Sequence, residues 1–208
     1  MRCVLALAFA ALTAVSASAA VVGEASPLAD GSVDGWSGIT VMDGYGGLPA
    51  GESVSTVNYY ASDGRADGNR SVQPLIIKND GGVFSIYDVG PVDTPTAGGE
   101  VSMSWGSSVV PNDGAVYHPG FWQWNAGVDD TDGGVVSFAG TGGSGMFQEN
   151  EDGTTYVPAI GDEVVSGHAS GADGRAYQMN FTTAVPEPST GILAALAIIP
   201  LLALRRRK

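Results

Sequence analysis

The chain has 208 residues, a formal net charge of −13 and 44% hydrophobic residues, with 31 glycines, 11 prolines and one cysteine. This length suits one domain, and the glycine and proline content is below that of chains disordered by composition. The acidic charge excludes nucleic acid and anionic lipid as expected partners of the folded body, because both are bound through Lys and Arg.

The N-terminus has the pattern of a secretory signal peptide. Met1-Arg2 is a basic start, residues 4–15 are apolar, and Ala17-Ser18-Ala19 is a small-residue cleavage site. We therefore expect export and removal of residues 1–19. The removed segment includes Cys3, so the mature chain would have no thiol for a disulfide, a metal or a nucleophile.

The body, residues 20–184, has turn signals and a period-two pattern between them. Ten of the 15 aspartates directly precede glycine, and Asp-Gly favours tight turns. In residues 101–105 and 177–181, large apolar residues alternate with small polar ones, as in a strand with one buried face. The clearest hairpin joins residues 75–78 to residues 83–87 through Asn79-Asp80-Gly81-Gly82. Further short candidate strands are residues 39–42, 54–61, 121–124, 135–138, 155–157 and 163–167.

Short strands between turn signals, with no helix-period segment in the body, predict an all-β fold. We expect an antiparallel β-sandwich, of which a jelly roll is one arrangement. The predicted organisation is a signal peptide in residues 1–19, the sandwich in residues 20–184 and a tail with a short hydrophobic helix in residues 185–208.

Aromatic residues cluster between residues 105 and 124. In an extended strand Trp122 and Trp124 share one face, while Phe121 and Gln123 share the other. If the tryptophans point outward, they form with Tyr117 a platform on which sugar rings can stack; if they point inward they belong to the core, where tryptophan is more often found. The outward arrangement predicts a carbohydrate-binding module with exopolysaccharide as its partner.

One acidic loop is a candidate Ca²⁺ site. Asp129, Asp130 and Asp132 place three carboxylates close together, and Ca²⁺ accepts oxygen ligands from such loops. The spacing lacks the EF-hand pattern, and a solvated acidic turn is the commoner explanation of such a loop. No other cofactor is expected, because two isolated histidines without cysteine make a poor zinc site.

The sequence contains no catalytic signature: a nucleophile elbow, a phosphate loop and a histidine-based triad are all missing. Glu149 and Glu151 offer a carboxylate pair for glycoside cleavage. That chemistry needs two groups about 5 to 9 Å apart across a cleft, which proximity in sequence does not provide. We therefore predict no catalytic residue and expect that the protein is not an enzyme.

The C-terminal residues form three successive parts. A proline-containing box is followed by an apolar run, residues 191–204, and by a basic cluster. The apolar run makes a helix of about 21 Å, short against a hydrocarbon core of about 30 Å. Basic residues favour the cytoplasmic side, so the residues before the helix lie outside the inner membrane. The box consists of Val185, Pro186, Glu187 and Pro188, and the basic cluster of Arg205, Arg206, Arg207 and Lys208.

This tail resembles the PEP-CTERM sorting signal of Gram-negative bacteria. The resemblance implies recognition by an exosortase, a membrane transpeptidase, with transient inner-membrane insertion of the helix and its later removal. A permanent single-span anchor is the alternative. Pro200 departs from the pattern because it interrupts the apolar helix. The resemblance covers the ends of the chain and implies nothing about the fold or activity of the body.

The expected function is that of an exported, exosortase-processed protein of the cell surface or extracellular matrix, with a structural or adhesive role. Members of the resembled family occur in bacteria that make exopolysaccharide and biofilm material. The first alternative is a lectin-like carbohydrate-binding module with a structural Ca²⁺. A glycoside-active enzyme is the third.

Overall fold

The computed structural model describes residues 19–35, 37–125, 133–141, 146–149, 157–164 and 175–185. Within these ranges the structure consists of strands, loops and one turn of 3-10 helix, Asp43–Tyr45. The strands are β1 (Val21–Gly23), β2 (Gly38–Val41), β3 (Ser53–Ala61), β4 (Arg70–Asp80), β5 (Val83–Val89), β6 (Gly99–Ser104), β7 (Val116–Asn125), β8 (Phe138–Thr141), β9 (Met146–Glu149), β10 (Arg175–Tyr177) and β11 (Met179–Ala184).

The strands form two main sheets. The four-stranded sheet has the order β1-β11-β3-β6, and the five-stranded sheet has the order β5-β4-β7-β2-β9. The short strands β8 and β10 pair with each other. All these pairings are antiparallel. The predicted all-β fold, an antiparallel β-sandwich, is confirmed.

The main hydrophobic core lies between the two sheets. Val57 and Phe181 enter it from the four-stranded sheet, and Ile76 and Phe121 enter it from the five-stranded sheet. All four are fully buried. Within β3 the core residues Val57, Tyr59 and Ala61 alternate with less buried residues, as the period-two pattern of a strand requires.

A second hydrophobic cluster covers the outer face of the five-stranded sheet. This sheet is therefore buried on both faces, and most residues of its adjoining strands β4 and β7 are buried. In a sheet with one solvent-exposed face, buried and exposed residues would alternate strictly along each strand. The buried members of the second cluster are Ile39, Val41, Leu75, Ile77, Ile86, Trp122 and Val164.

The hairpin of β4 and β5 confirms the predicted turn. Asp80 pairs with Val83, and the two turn residues Gly81 and Gly82 have φ angles of 63° and 96°. Positive φ at both positions matches the right-handed twist of the flanking strands. Glycine adopts these angles without the steric cost that other residues meet.

The predicted strand 177–181 is divided at Gln178. Before Gln178 the chain forms β10, which pairs with β8. After Gln178 it forms β11, which pairs with β3. Ser137 lies in the fork, where its N–H donates to the carbonyl of Tyr60 and its carbonyl accepts from the N–H of Gln178. The strand therefore changes partner because another segment is inserted.

Three other predicted strands differ in extent. Residues 135–138 form an isolated bridge at Val136, and the strand β8 begins only at Phe138. Residues 155–156 and 165–167 lie outside the described residues. Val157 is not in a strand, and Glu163 makes a single bridge to Ser85 at the edge of β5.

Candidate functional site

The two ends of the body are neighbouring strands. β1 pairs antiparallel with β11, with Val21 opposite Thr182 and Gly23 opposite Asn180. Because the two strands run in opposite directions, the start of β1 and the end of β11 lie at the same end of the sheet. The predicted signal-peptide cleavage site and the predicted sorting box therefore adjoin the body side by side.

Thr183 connects both chain ends to β3. Its backbone N–H donates to the carbonyl of Ala20 at 2.8 Å, and its hydroxyl oxygen lies 3.4 Å from the same carbonyl oxygen. The hydroxyl donates to the carboxylate of Glu52, the residue before β3. Since Thr183 is fully buried, this junction is a packed part of the fold.

Asn180 holds the segment after β1 against β11. Its amide nitrogen donates to the carbonyl of Glu24 at 3.1 Å and to the hydroxyl oxygen of Ser26 at 3.2 Å. Its amide oxygen accepts from Asn58 at 2.9 Å. Asn180 is buried, so the polar face of this strand, which the sequence pattern assigns to solvent, is covered by the N-terminal segment.

The sorting box begins without a linker. Val185 follows the last residue of β11 directly and is exposed. The rest of the box (Pro186, Glu187 and Pro188), the apolar run, the basic cluster and the predicted signal peptide up to residue 18 lie outside the described residues. In the part of the chain that the structure describes, no helix is long and apolar enough to cross a membrane.

The tryptophan pair lies on the outer face of the five-stranded sheet. The rings of Trp122 and Trp124 are stacked, with centroids 3.7 Å apart and planes 14° from parallel. Trp122 is buried in the second cluster, and Trp124 is partly buried at its margin. The prediction that they share a face is confirmed, but only Trp124 is accessible.

Tyr117 does not join the pair. Tyr117 precedes Trp122 by five positions and Trp124 by seven, and residues an odd number of positions apart lie on opposite faces of a strand. Its side chain therefore enters the main core on the other face of β7. There its ring packs edge-on against Tyr87, and its hydroxyl donates to Asp113 at 3.0 Å. Tyr117, Trp122 and Trp124 therefore do not form one exposed platform.

The predicted Ca²⁺ ligands Asp129, Asp130 and Asp132 lie outside the described residues. Among the residues that are described, no three His, Asp or Glu side chains are grouped to hold a metal ion. The glycine pair that follows the acidic loop packs closely on the N-terminal segment. A Cβ atom on Gly134 would lie 2.1 Å from the carbonyl oxygen of Asp34.

A buried polar network surrounds Asp34. Its carboxylate accepts from the hydroxyl of Tyr177 at 2.6 Å and from the amide of Gln123 at 3.3 Å, and it is paired with the guanidinium of Arg175. The amide oxygen of Gln123 accepts in turn from the N–H groups of Val135 and Val136. The network ties the N-terminal segment to β7 and β10.

The hydrogen bonds and the ion pair of this network hold parts of the fold together. Burial raises the pKa of Tyr177 to about 12, so its hydroxyl stays protonated and donates to Asp34. The guanidinium of Arg175 lies 4.6 Å from the ring centroid of Phe138. Sequence reasoning did not predict that these residues form a network, and a signal for it is the polar Gln123 within an aromatic strand.

No protein-family model, curated protein or solved structure matches this chain.

Proposed function

We propose that this chain is the precursor of an exported protein of the cell surface or extracellular matrix, processed at both ends. The observation that carries the proposal is the three-part tail, in which a Pro-Glu-Pro box precedes the apolar residues 191–204 and four basic residues. The signal-peptide pattern of residues 1–19 supports the same route of export. An exosortase is the partner that would act on the tail, and the mature body has a structural or adhesive role.

The end of the body suits removal of the tail. Ala184, the last residue of β11, pairs with Ser53 of β3, and the box begins at the next residue. Cleavage in the box would therefore leave the described pairings of the body intact. The remaining body, residues 20–184, has four basic and 21 acidic residues, a formal net charge of −17 that favours solubility.

The test is the intact mass of the protein recovered from the producing cells. We expect a chain that begins at Ala20 and ends in or next to the box, well below the 21.1 kDa of the precursor. A Glu187→Ala variant should keep the tail and stay in the membrane fraction. Glu163→Ala, which removes an exposed glutamate outside the box, should be processed normally. Recovery of the unvaried protein with Leu204 and the basic cluster attached would refute processing.

A second candidate function is carbohydrate binding, and the position of Trp124 favours it. Its indole ring is partly buried, lies at the margin of the second cluster and is supported from below by the stacked ring of Trp122. Sugar rings stack their apolar faces on such indoles, and a rigid ring loses little entropy on binding. This function would be adhesion of the surface protein to exopolysaccharide.

Retention of the purified body on exopolysaccharide tests this second candidate. Trp124→Ala should abolish retention, whereas Phe84→Ala, which removes another partly buried aromatic ring at the margin of the same cluster, should preserve it. A chelator that abolishes retention would indicate a Ca²⁺ ion in the site. Equal loss in both variants, or no retention of the unvaried body, would eliminate carbohydrate binding.

A further inference from the structure

The end of the four-stranded sheet where the chain enters and leaves has a definite composition. β1 starts there, β11 ends there, and β3 starts there, because Ala184 pairs with Ser53. The loop after β6 lies alongside, since the N–H of Val110 donates to the carbonyl of Glu52 at 2.8 Å. We call this the terminal end of the sandwich.

We propose that the terminal end faces the lipid surface of the inner membrane in the precursor, so that the body has one fixed orientation relative to the membrane. This inference rests on the proposed function, because the apolar segments on both sides of the body would insert in the membrane. It goes further in assigning which part of the fold meets the lipid.

Chain length limits how far the body can turn away. Residues 16–19 separate the apolar part of the signal peptide from Ala20, and residues 185–190 separate β11 from the apolar run of the tail. Even fully extended, these connections reach only about 14 Å and about 21 Å. The far end of β3 is about 26 Å from its start, given the rise of a strand. Two short tethers at one end therefore hold that end against the membrane.

The surface of the terminal end fits an interfacial position. Three exposed valines lie there: Val21 in β1, Val185 after β11, and Val109 beside the residue that bonds to Glu52. Exposed apolar side chains are favoured at the boundary of headgroups and acyl chains.

Electrostatics alone favours the opposite orientation. Arg65 and Arg70 lie beyond the far end of β3, and Arg175 begins the β10–β11 segment at the end opposite Ala184. These are three of the four basic residues of the body. If attraction of arginine to anionic lipid set the orientation, this far end would approach the membrane. The two mechanisms therefore predict opposite results.

The experiment compares two chains, each carrying a single fluorophore, one at the terminal end of the sandwich and the other at the far end. The full chain with Cys3→Ser is free of cysteine, and Ala50→Cys and Ala97→Cys then add single labelling sites. Both alanines are exposed; Ala50 lies in the turn before β3, and Ala97 precedes β6 at the far end of the sheet. The chains are synthesised in a cell-free system in the presence of vesicles of phosphatidylethanolamine and phosphatidylglycerol, and are then labelled. Quenching by headgroup spin-labelled lipid is measured after flotation.

We expect strong quenching of the label at position 50 and none at position 97. Equal quenching of the two labels, or stronger quenching at position 97, would overturn the inference while the flotation itself still supports the proposed membrane insertion. Chains that do not float with the vesicles would instead refute the membrane step of the proposed function, and the orientation with it. Loss of cooperative unfolding is checked for each variant, and Ser55→Cys, also exposed near the terminal end, replaces Ala50→Cys if that variant does not fold.

Discussion

The carboxylate of Asp34 and the guanidinium of Arg175 form an ion pair in which the Asp34 side chain has no exposed surface. A buried charge that loses its partner is destabilising, because the remaining charge is neither solvated nor compensated. Asp34 also accepts from Tyr177 and Gln123, so one side chain satisfies donors from two strands, β10 and β7.

We predict that Asp34→Asn lowers the free energy of unfolding by about 3 to 5 kcal/mol, since it removes a fully buried carboxylate that accepts from Arg175, Tyr177 and Gln123. Urea unfolding followed by tryptophan fluorescence measures the loss. Asp67→Asn is the matched control, because Asp67 pairs with Arg70 but its side chain is half exposed. The control should lose much less, and equal losses would contradict the role assigned to burial.

Trp122→Ala should destabilise the body by about 3 to 5 kcal/mol, as expected for a buried aromatic ring replaced by a cavity. Trp124→Ala should cost less, because Trp124 is only partly buried. The two variants are compared by their urea midpoints. An unchanged midpoint for Trp122→Ala would show that the second cluster does not contribute to stability.

Close backbone packing at Gly134 predicts a severe effect of one methyl group. Gly134→Ala should cost about 1 to 3 kcal/mol or more, because the added Cβ would overlap the carbonyl of Asp34. Gly106→Ala adds a Cβ that meets no atom within 4 Å and should change stability by about 1 kcal/mol at most. Thermal unfolding distinguishes them, and similar midpoints would be inconsistent with the packing described.

His118 makes stability depend on pH in the mildly acidic range. Burial lowers its pKa below the ordinary 6.5, while the carbonyl of Gly46 and the charge of Asp43 oppose the shift. Because the unfolded chain binds the proton more readily, this stabilising contribution is present above pH 6.5 and is lost as the pH falls through the lowered pKa. His118→Asn should flatten this part of the profile. His168 is kept in both proteins, so their difference reports on His118 alone.

Tyr59 should make the body sensitive to alkali. Burial raises its pKa above 10, and the hydrogen bond to Asp93 at 2.5 Å adds to the shift. The folded state keeps this proton more tightly, so its contribution to stability is complete below pH 10 and is lost as the pH rises above it. We expect Tyr59→Phe to be less sensitive to alkali than the unvaried protein. The measurement is urea unfolding at a series of alkaline pH values, and parallel curves would contradict the expectation.

Much of the strand pattern could be read from the sequence, but the two longest strands, β4 and β7, were predicted only in part. β4 contains Pro74, and β7 contains Pro119 and Gly120, which normally indicate a strand end. Pro74 is tolerated because the ladder with β5 stops at Leu75. At Gly120 a Cβ would lie 2.7 Å from the carbonyl oxygen of Thr40 on β2, so the strand needs glycine there.

The candidate site depends on contacts between distant parts of the chain. Alternation correctly placed Trp122 and Trp124 on one face, but burial of that face involves Val164, some 40 residues further along the chain. Asn180 looks like a solvent-facing strand residue until the segment at Glu24 covers it. Local periodicity predicts which face of a strand a residue lies on. It does not predict which distant segment of the chain buries that face.

The pairing of β1 with β11 also sets when the body can finish folding. Ala20 and Thr183 are 163 residues apart, and β11 lies between β1 and β3 in the sheet. If the chain is exported N-terminus first, as proposed, the first strand must wait without its sheet partner until the last strand has crossed the membrane. Such distant pairings make folding slow. On that route the edge of β3 that β11 covers would stay open throughout translocation, and addition of the six-residue strand β11 would complete the sheet.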